Sequence, residues 1–394
     1  MLKDAPIAIS PKQRSVARPQ NERLFLDLIR DNGPMSKAEL TRASELSAQS
    51  ATVIVNRLVK DGLLQPGKAV KGKVGQPSVP FSLDPTGAVS IGIKVGRRSL
   101  EVVSMSFDYS ILERIVRRYS FPNLDAIRQD MLACTAGLFD KMTAAQKERV
   151  VGIGIALPDE LSAWESTVGA PKGAMADWAS SDLSKDMEAA FGLPTTDLND
   201  ASAACLAEIA VGARQRNKSF VYFYVGTFIG GGISLGGQLY TGQNNLAGAI
   251  ASLPTGAVSS GVASQLLEGA SLHYLEAAAE AAGLSPNGFY ENRPLNITER
   301  GLFEDWLKIA APQIAFAAVA GRAFLDPEMI VIDSSLSPEL TQEMVEAVKD
   351  AMGRNYDKRG LAKINIEAGE IGIAARAIGS GILPFLSQFG LEKE

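Results

Sequence analysis

Two periods alternate along this chain, and they divide it. Near the N-terminus the apolar positions follow helical spacing. "NERLFLDLIRDNG" sets Leu24, Leu26, Leu28 and Ile29 mostly along one side and stops at Asn32-Gly33, a C-cap pair. "PMSKAELTRASEL" offers Ser36 as N-cap with Glu39 three residues on, a capping box. After a short connection at Glu45-Leu46, Ser47 can cap a third helix, "AQSATVIVNRLVKDG", ending at Gly62 with Ala51, Ile54, Val55 and Leu58 toward a core. Beyond residue 85 the period changes to strand. "AVSIGIKVGRRSLEVVSMSF" reads as two alternating runs joined by a glycine turn, and "VVGIGIALP", "FVYFYVGTFIGGGISLGG" and "MIVIDSSLS" as buried strands ending in small residues. Helical stretches at Leu124–Ala144, Ser202–Val211 and Thr341–Met352 separate them, so the pattern predicts an α/β body built in two halves. "IAAPQIAFAAVAGRAFL" is the most apolar helical run; Gln313 and Arg322 interrupt it, which predicts a buried helix and no membrane span.

The N-terminal helices have the order of a helix-turn-helix. With Ala51, Val55 and Leu58 inward, Gln49, Ser50, Thr52, Val53, Asn56 and Arg57 lie outward behind the Ser47 cap. Short polar side chains let a helix approach base edges, and Gln and Asn can bond adenine bidentately. "LLQPGKAVKGKVGQPSVPFSL" then reads as a β-hairpin wing whose Lys68, Lys71 and Lys73 could reach phosphates. A generic three-helix packing module with a solvated basic loop is the competing reading.

Charge sharpens the division. Residues 1–85 hold thirteen Lys and Arg against eight Asp and Glu, whereas the remainder holds 26 against 36. A basic head on an acidic body points to a polyanion as the head's partner. Cys134 and Cys205 lie far apart among apolar residues, which suits a reducing cytoplasm and cannot build a cysteine-rich metal site. The N-terminal segment has basic residues but no apolar core, so no secretory leader is expected there. The expected domains are a flexible tail at 1–18, a winged helix-turn-helix domain at 19–85, and an effector-binding and dimerisation domain at 86–394.

"GPMSKAELTRASELSAQSATVIVNRLVKDGLL", followed by "GQPSVPFSLDP", resembles the head of the transcriptional repressors in the ROK family (repressors, open reading frames, kinases). The resemblance continues through Ala88–Phe389, which is similar to the family's two-lobed, actin-like sugar-kinase fold. Many members end the wing in Gly-Arg-Pro; here it is Gly75-Gln76-Pro77, so Gln76 takes the arginine's place.

The resemblance implies three nucleotide elements in a kinase, and each is altered. An Asp-x-Gly-Gly-Thr turn is replaced by Lys94-Val95-Gly96-Arg97-Arg98. A Gly-Thr-Gly-x-Gly-Gly-Gly turn reads Gly226-Thr227-Phe228-Ile229-Gly230-Gly231-Gly232, and a Phe228 side chain would obstruct backbone N–H groups from phosphate. The Gly-Gly pair after the "IVI" strand has become Asp333-Ser334-Ser335. The remaining glycines are better explained by a tight hairpin than by a phosphate site. No ATP, no other cofactor and no catalysis are therefore expected.

"TTDLNDASAACLAE" matches the family's Asn-Asp-Ala-Asn-Ala-Ala segment, which implies Asp200 in the general base's position, with Asn199 beside it. Without a phosphoryl donor that carboxylate can still accept a hydrogen bond from a sugar hydroxyl; a plain N-cap role is the alternative. The family's sugar and zinc residues in Ala-Gly-Glu-Ile-Gly-His are replaced by Ala247-Gly248-Ala249-Ile250-Ala251-Ser252, and its cysteine cluster by "AVSSGVASQLL". His273, the only histidine, falls on a later helical run, so no zinc is expected. Glu268 corresponds to a sugar-contacting Glu that follows the cluster.

These readings predict a cytoplasmic DNA-binding regulator, a repressor of carbohydrate-related genes. Its partners would be double-stranded operator DNA and a small effector, a sugar or sugar derivative. It would act as a homodimer, or a tetramer built from dimers, with no membrane partner. A remodelled cleft answering to a non-sugar metabolite or a protein partner is the competing regulator reading, and an active ATP-dependent sugar kinase the competing enzyme reading.

Overall fold

A computed structural model describes residues 17–69, 78–159, 161–165, 167–213, 217–255, 263–356 and 365–391. The chain forms two compact units: Met1–Asp200 with Ala377–Glu394, and Ala201–Arg376. Most of the expected 1–18 tail, and Lys71, Lys73 and Gln76 of the expected wing, lie outside the described residues.

The first unit begins with three helices, α1 (Gln20–Asn32), α2 (Lys37–Ser44) and α3 (Ala48–Lys60). The Ser36–Glu39 capping box forms, and Ser47 caps α3 through the Ser50 N–H. Phe25, Leu26 and Ile29 form the buried side of α1, while Leu24 and Leu28 are only half-buried. The buried set is therefore centred on Phe25, which the aliphatic pattern passes over. Strands β1 (Met35–Ser36), β2 (Leu64–Pro66) and β3 (Pro80–Leu83) pair antiparallel in the order β1-β3-β2, with Phe81 buried beneath.

A five-stranded sheet follows: β4 (Val89–Val95), β5 (Ser99–Ser106), β6 (Ile111–Arg118), β7 (Val150–Leu157) and β8 (Thr195–Asn199), in the order β6-β5-β4-β7-β8. β4, β7 and β8 run parallel, and β5 and β6 antiparallel to their neighbours. Helices α4 (Leu124–Lys141), α5 (Ala144–Glu148) and α6 (Leu183–Phe191) lie between these strands in the chain. The period-2 pattern determines what covers each face. Ile91, Ile93, Ile153 and Ile155 join Met131, Leu138 and Met187 in one apolar core. The intervening Gly92 and Gly154 face the other way.

In the second unit β9 (Phe220–Val225), β10 (Ile229–Leu235), β11 (Gln238–Tyr240), β12 (Met329–Ser334) and β13 (Ile366–Ala368) form a sheet ordered β11-β10-β9-β12-β13. Its helices are α7 (Asp200–Val211), α8 (Leu266–Ala270), α9 (Leu272–Ala281), α10 (Ile297–Leu325) and α11 (Pro338–Asn355). Val221, Phe223 and Ile332 pack with α10 and α11 residues such as Ile314 and Met344. Among the described residues no helix is long and apolar enough to cross a membrane.

The chain returns to the first unit in α12 (Ala375–Phe389). This helix covers the glycine face of the first sheet. A side chain at Gly92 would put its Cβ 2.5 Å from the Gly381 nitrogen, and one at Gly154 would collide with the Ser380 carbonyl. Ser90 donates to the Gly381 carbonyl at 2.5 Å. These glycines are needed because two backbones meet there.

Candidate functional site

Three places can be built from the residues upward. The first is the outer face of α3. Ala51, Val55 and Leu58 are fully buried, which turns Ser47, Gln49, Ser50, Val53, Asn56 and Arg57 outward as exposed residues, with Thr52 half-buried. Val53 is 60% exposed, so an apolar side chain stands in the middle of a polar face. Asn56 Oδ1 accepts from Lys37 Nζ at 2.9 Å, and Lys37 also sits 5.6 Å from the centre of the Phe81 ring. Arg57 pairs with Glu22 of α1 at 3.1 Å while remaining 63% exposed. Thr52 Oγ1 donates back to the Ala48 carbonyl at 2.8 Å. Lys68 is exposed where the chain leaves β2. Sequence reasoning missed Lys37; its place at the first position of α2 was legible, but its reach across to α3 was not.

The second place is the glycine-rich turn between β9 and β10. Phe228 is buried and lies 5.7 Å from the His273 ring. Three of the turn's backbone groups are bonded to the segment that leads into α9. Gly226 and Thr227 carbonyls accept from the N–H groups of Leu272 and His273 at 3.0 and 2.9 Å, and the Ile229 N–H donates to Ser271 Oγ at 3.1 Å. At the end of β12, Asp333 accepts from Tyr222 OH at 3.0 Å, from the Gly372 N–H at 3.0 Å and from the Ser334 N–H at 2.8 Å. Burial, the largest effect, raises the pKa of Asp333. Beside it Tyr224 OH and Ser335 Oγ are 3.1 Å apart, and Arg376 lies 4.8 Å over the Tyr224 ring.

The third place is the edge of the first unit's sheet where its parallel strands end. Ligands of α/β sheets favour the carboxyl ends of parallel strands. Lys94 pairs with Ala156 of β7, and Leu157 with Asn199 of β8, so the three strand ends are level. Asn199 donates to Asp159 at 2.8 Å, and Asp200 follows as the first residue of α7. Lys94 is buried, its Nζ 2.8 Å from Ser99 Oγ. Arg97 lies 5.4 Å over the Trp164 ring. Glu165 accepts from the N–H groups of Gly173 and Met175 at 2.7 and 3.0 Å, which fixes the loop carrying Trp164 and holds the Glu165 pKa below its ordinary value. Asn199 and Asp200 thus share an edge with Asp159, Arg97 and Trp164. Glu268 belongs to the second unit, exposed on α8. Asp159 and Trp164 were missed because nothing local marks them; only strand order brings them to this edge.

A helix-turn-helix head joined to a two-unit α/β body defines the fold class of the chain. Residues 90–258 match the ROK family and residues 19–71 the MarR family, so the chain carries a ROK family domain behind a MarR-like helix-turn-helix domain. The chain is 26% identical to the uncharacterized protein y4fQ of Sinorhizobium fredii, over 94% of this chain and 91% of that one. It is 24% identical to the xylose repressor of Bacillus subtilis over 58% of each chain. The crystal structure of a ROK family transcriptional regulator, a homologue of the E. coli MLC protein, superposes with a TM-score of 0.67 at 18% identity, covering 94% of this chain and 97% of that one. That likeness fixes the fold, an N-terminal winged helix-turn-helix followed by an actin-like kinase fold.

Proposed function

We propose that the chain binds operator DNA through α3 and its wing and represses carbohydrate-related genes. In this reading a sugar or sugar derivative bound by the ROK domain, without catalysis, controls the head. The observation that carries it is one chain holding two features: an exposed α3 face of Gln49, Ser50, Val53 and Asn56, and a kinase-like turn that carries the buried Phe228 in place of a glycine. Phe228 and the Asp333 network fill the places where the family's glycines admit a nucleotide. Gln49 and Asn56 would read base edges, Val53 a thymine methyl, and Ser47, Ser50, Thr52, Arg57, Lys68, Lys71, Lys73 and Gln76 would read or grip the flanking surface. A homodimer would set two α3 helices one DNA turn apart, or a multiple of it. Asn199, Asp200 and Glu268 are the proposed effector contacts, acting by differential affinity for two states of the chain.

Selection of bound duplexes from a randomised pool by the full chain should yield an inverted repeat. Asn56→Ala should then relax specificity at one position per half-site, by about 1–3 kcal/mol. Recovery of no preferred sequence would end the reading. ATP-dependent phosphorylation of any sugar would restore the kinase alternative. Ala249 and Ser252, where the family carries its sugar-binding Glu and His, favour a second reading in which a non-sugar metabolite or protein partner controls the same head.

A further inference from the structure

We propose, on the reading above that α3 binds operator DNA, that Lys37 and Asn56 select guanine as one unit at one position of each half-site. Lys37 does this by turning Asn56 into a donor-only side chain. A free asparagine amide carries an acceptor beside a donor, the pattern that matches adenine. Here the acceptor is already engaged, because Asn56 Oδ1 accepts from Lys37 Nζ at 2.9 Å. An ammonium has protons and no lone pair, so the amide turns its oxygen toward it and keeps its NH2 group to offer. The remaining ammonium protons of Lys37 are donors too. Whichever atom of the pair meets a base edge, it brings a hydrogen.

Three elements of the head hold the pair in place. Lys37 is the first residue of α2, directly behind the Ser36 cap and its bonds with Glu39. Its ammonium lies 5.6 Å from the centre of the Phe81 ring on β3, within cation–π range. Asn56 is exposed on α3, one turn beyond the exposed Val53 and two beyond Gln49, on the same face. A lysine at the first position of a helix opposes the positive end of the helix dipole, so α2 itself gains nothing from this charge. Its partner lies across on α3, and the acceptor it consumes is the one that adenine needs. Guanine shows two adjacent acceptors in the major groove, N7 and O6, and meets donors at both. Thymine shows one acceptor beside its methyl group, cytosine only a donor, and adenine an amino donor beside its N7. Against the pair, cytosine and the adenine amino group set hydrogen against hydrogen. Exclusion of water on docking sharpens that discrimination. Lys37 is here a positioning residue for Asn56.

The test begins with duplexes selected by the full chain from a randomised pool. Anisotropy titrations then compare all four bases at the position that Asn56→Ala relaxes. Wild type should prefer guanine over adenine there by at least about fivefold. Lys37→Met keeps the aliphatic stem beside Phe81 and removes the ammonium, which frees Oδ1. That variant should move its preference at this position to adenine and keep its preferences elsewhere. Lys37→Arg, which still donates to Oδ1, should retain guanine. Adenine preferred by the wild type, or no position relaxed by Asn56→Ala, would overturn the pair's role and leave the DNA-binding reading standing. So would a Lys37→Met variant that still prefers guanine; a salt slope lower by about one would then mark Lys37 as a phosphate contact. A pool that yields no preferred sequence would overturn the guanine assignment together with the reading beneath it.

Discussion

Glu208 should make the chain less stable as pH rises through neutrality, and removing its charge should abolish that loss. The side chain is fully buried on α7, and both carboxylate oxygens lie 3.1 Å from the Glu370 N–H. Burial first, then the charge of Asp333, raises its pKa from 4.5 to about 8. Between those values the folded chain keeps a proton that the unfolded chain has released. The unfolded state then binds fewer protons, so stability falls with rising pH across that window. Below 4.5 both states are protonated and above 8 both are ionised, so this group's slope vanishes. At about 1.4 kcal/mol per unit the loss across the window is on the order of 5 kcal/mol. Glu208→Gln retains a carbonyl acceptor for the Glu370 N–H, and its amide can donate toward Asp333. Urea unfolding of wild type and variant, followed by circular dichroism at pH 5 and pH 8.5, measures the difference. The variant should gain several kcal/mol on wild type between the two pH values, within the window set by the raised pKa. A gap that is the same at both would refute a protonated Glu208 in the folded chain.

Gly154→Ala should cost about 1–3 kcal/mol by driving a methyl into the Ser380 carbonyl, read as a lower urea midpoint with unchanged slope. Ser36→Ala removes one half of the α2 capping box and should cost the head about 1 kcal/mol, read from its thermal transition. On a selected operator, Lys68→Ala should weaken binding evenly across sequences and reduce the salt slope by about one, measured by fluorescence anisotropy at several salt concentrations.

The elements of the fold were largely legible. Capping at Ser36 and Ser47 is local chemistry, and the structure forms both bonds. The sheet faces follow from alternation alone, since Ile91 and Ile93 must point away from Gly92. The candidate sites were legible only where a role depends on a residue's own neighbours. A phenylalanine at position 228 of the turn is legible whatever surrounds it, but no local pattern shows that Ser271 and His273 will take up the turn's bonds. Arg97 and Trp164 are separated by 67 residues of sequence, and only the β4–β7 adjacency brings them together. Long-range pairings of this kind have no signature in a single sequence. A helix pattern likewise cannot reveal that Arg23, inside α1, is buried against a segment from the other end of the chain.

That last contact bears on how a signal could reach the head. α12 passes under the Gly92 and Gly154 face, and its end meets α1. Arg23 Nε donates to the Gly390 carbonyl, Asp27 accepts from the Leu391 N–H at 3.1 Å, and the Arg18 N–H donates to the Gln388 carbonyl at 3.2 Å. Arg30 lies over Tyr109 and Phe107 at 4.3 and 5.1 Å, and Phe107 packs edge-on against Phe385 and Phe389 of α12. The head is therefore held through a helix that also covers the strands leading to Lys94 and Asp159, and movement of that helix would carry α1 with it. Two of the bonds involve side chains and can be removed without touching the sheet. Arg23→Ala with Asp27→Ala should speed proteolytic cleavage between head and body severalfold, since cleavage follows the population of the open form. The thermal transition of the body should remain in place. Unchanged cleavage would mean that the contacts left in place, those of Arg30 with Phe107 and Tyr109 and the Arg18 backbone bond, hold the head, and a fall in the body's transition would mean that the tail stabilises the sheet instead.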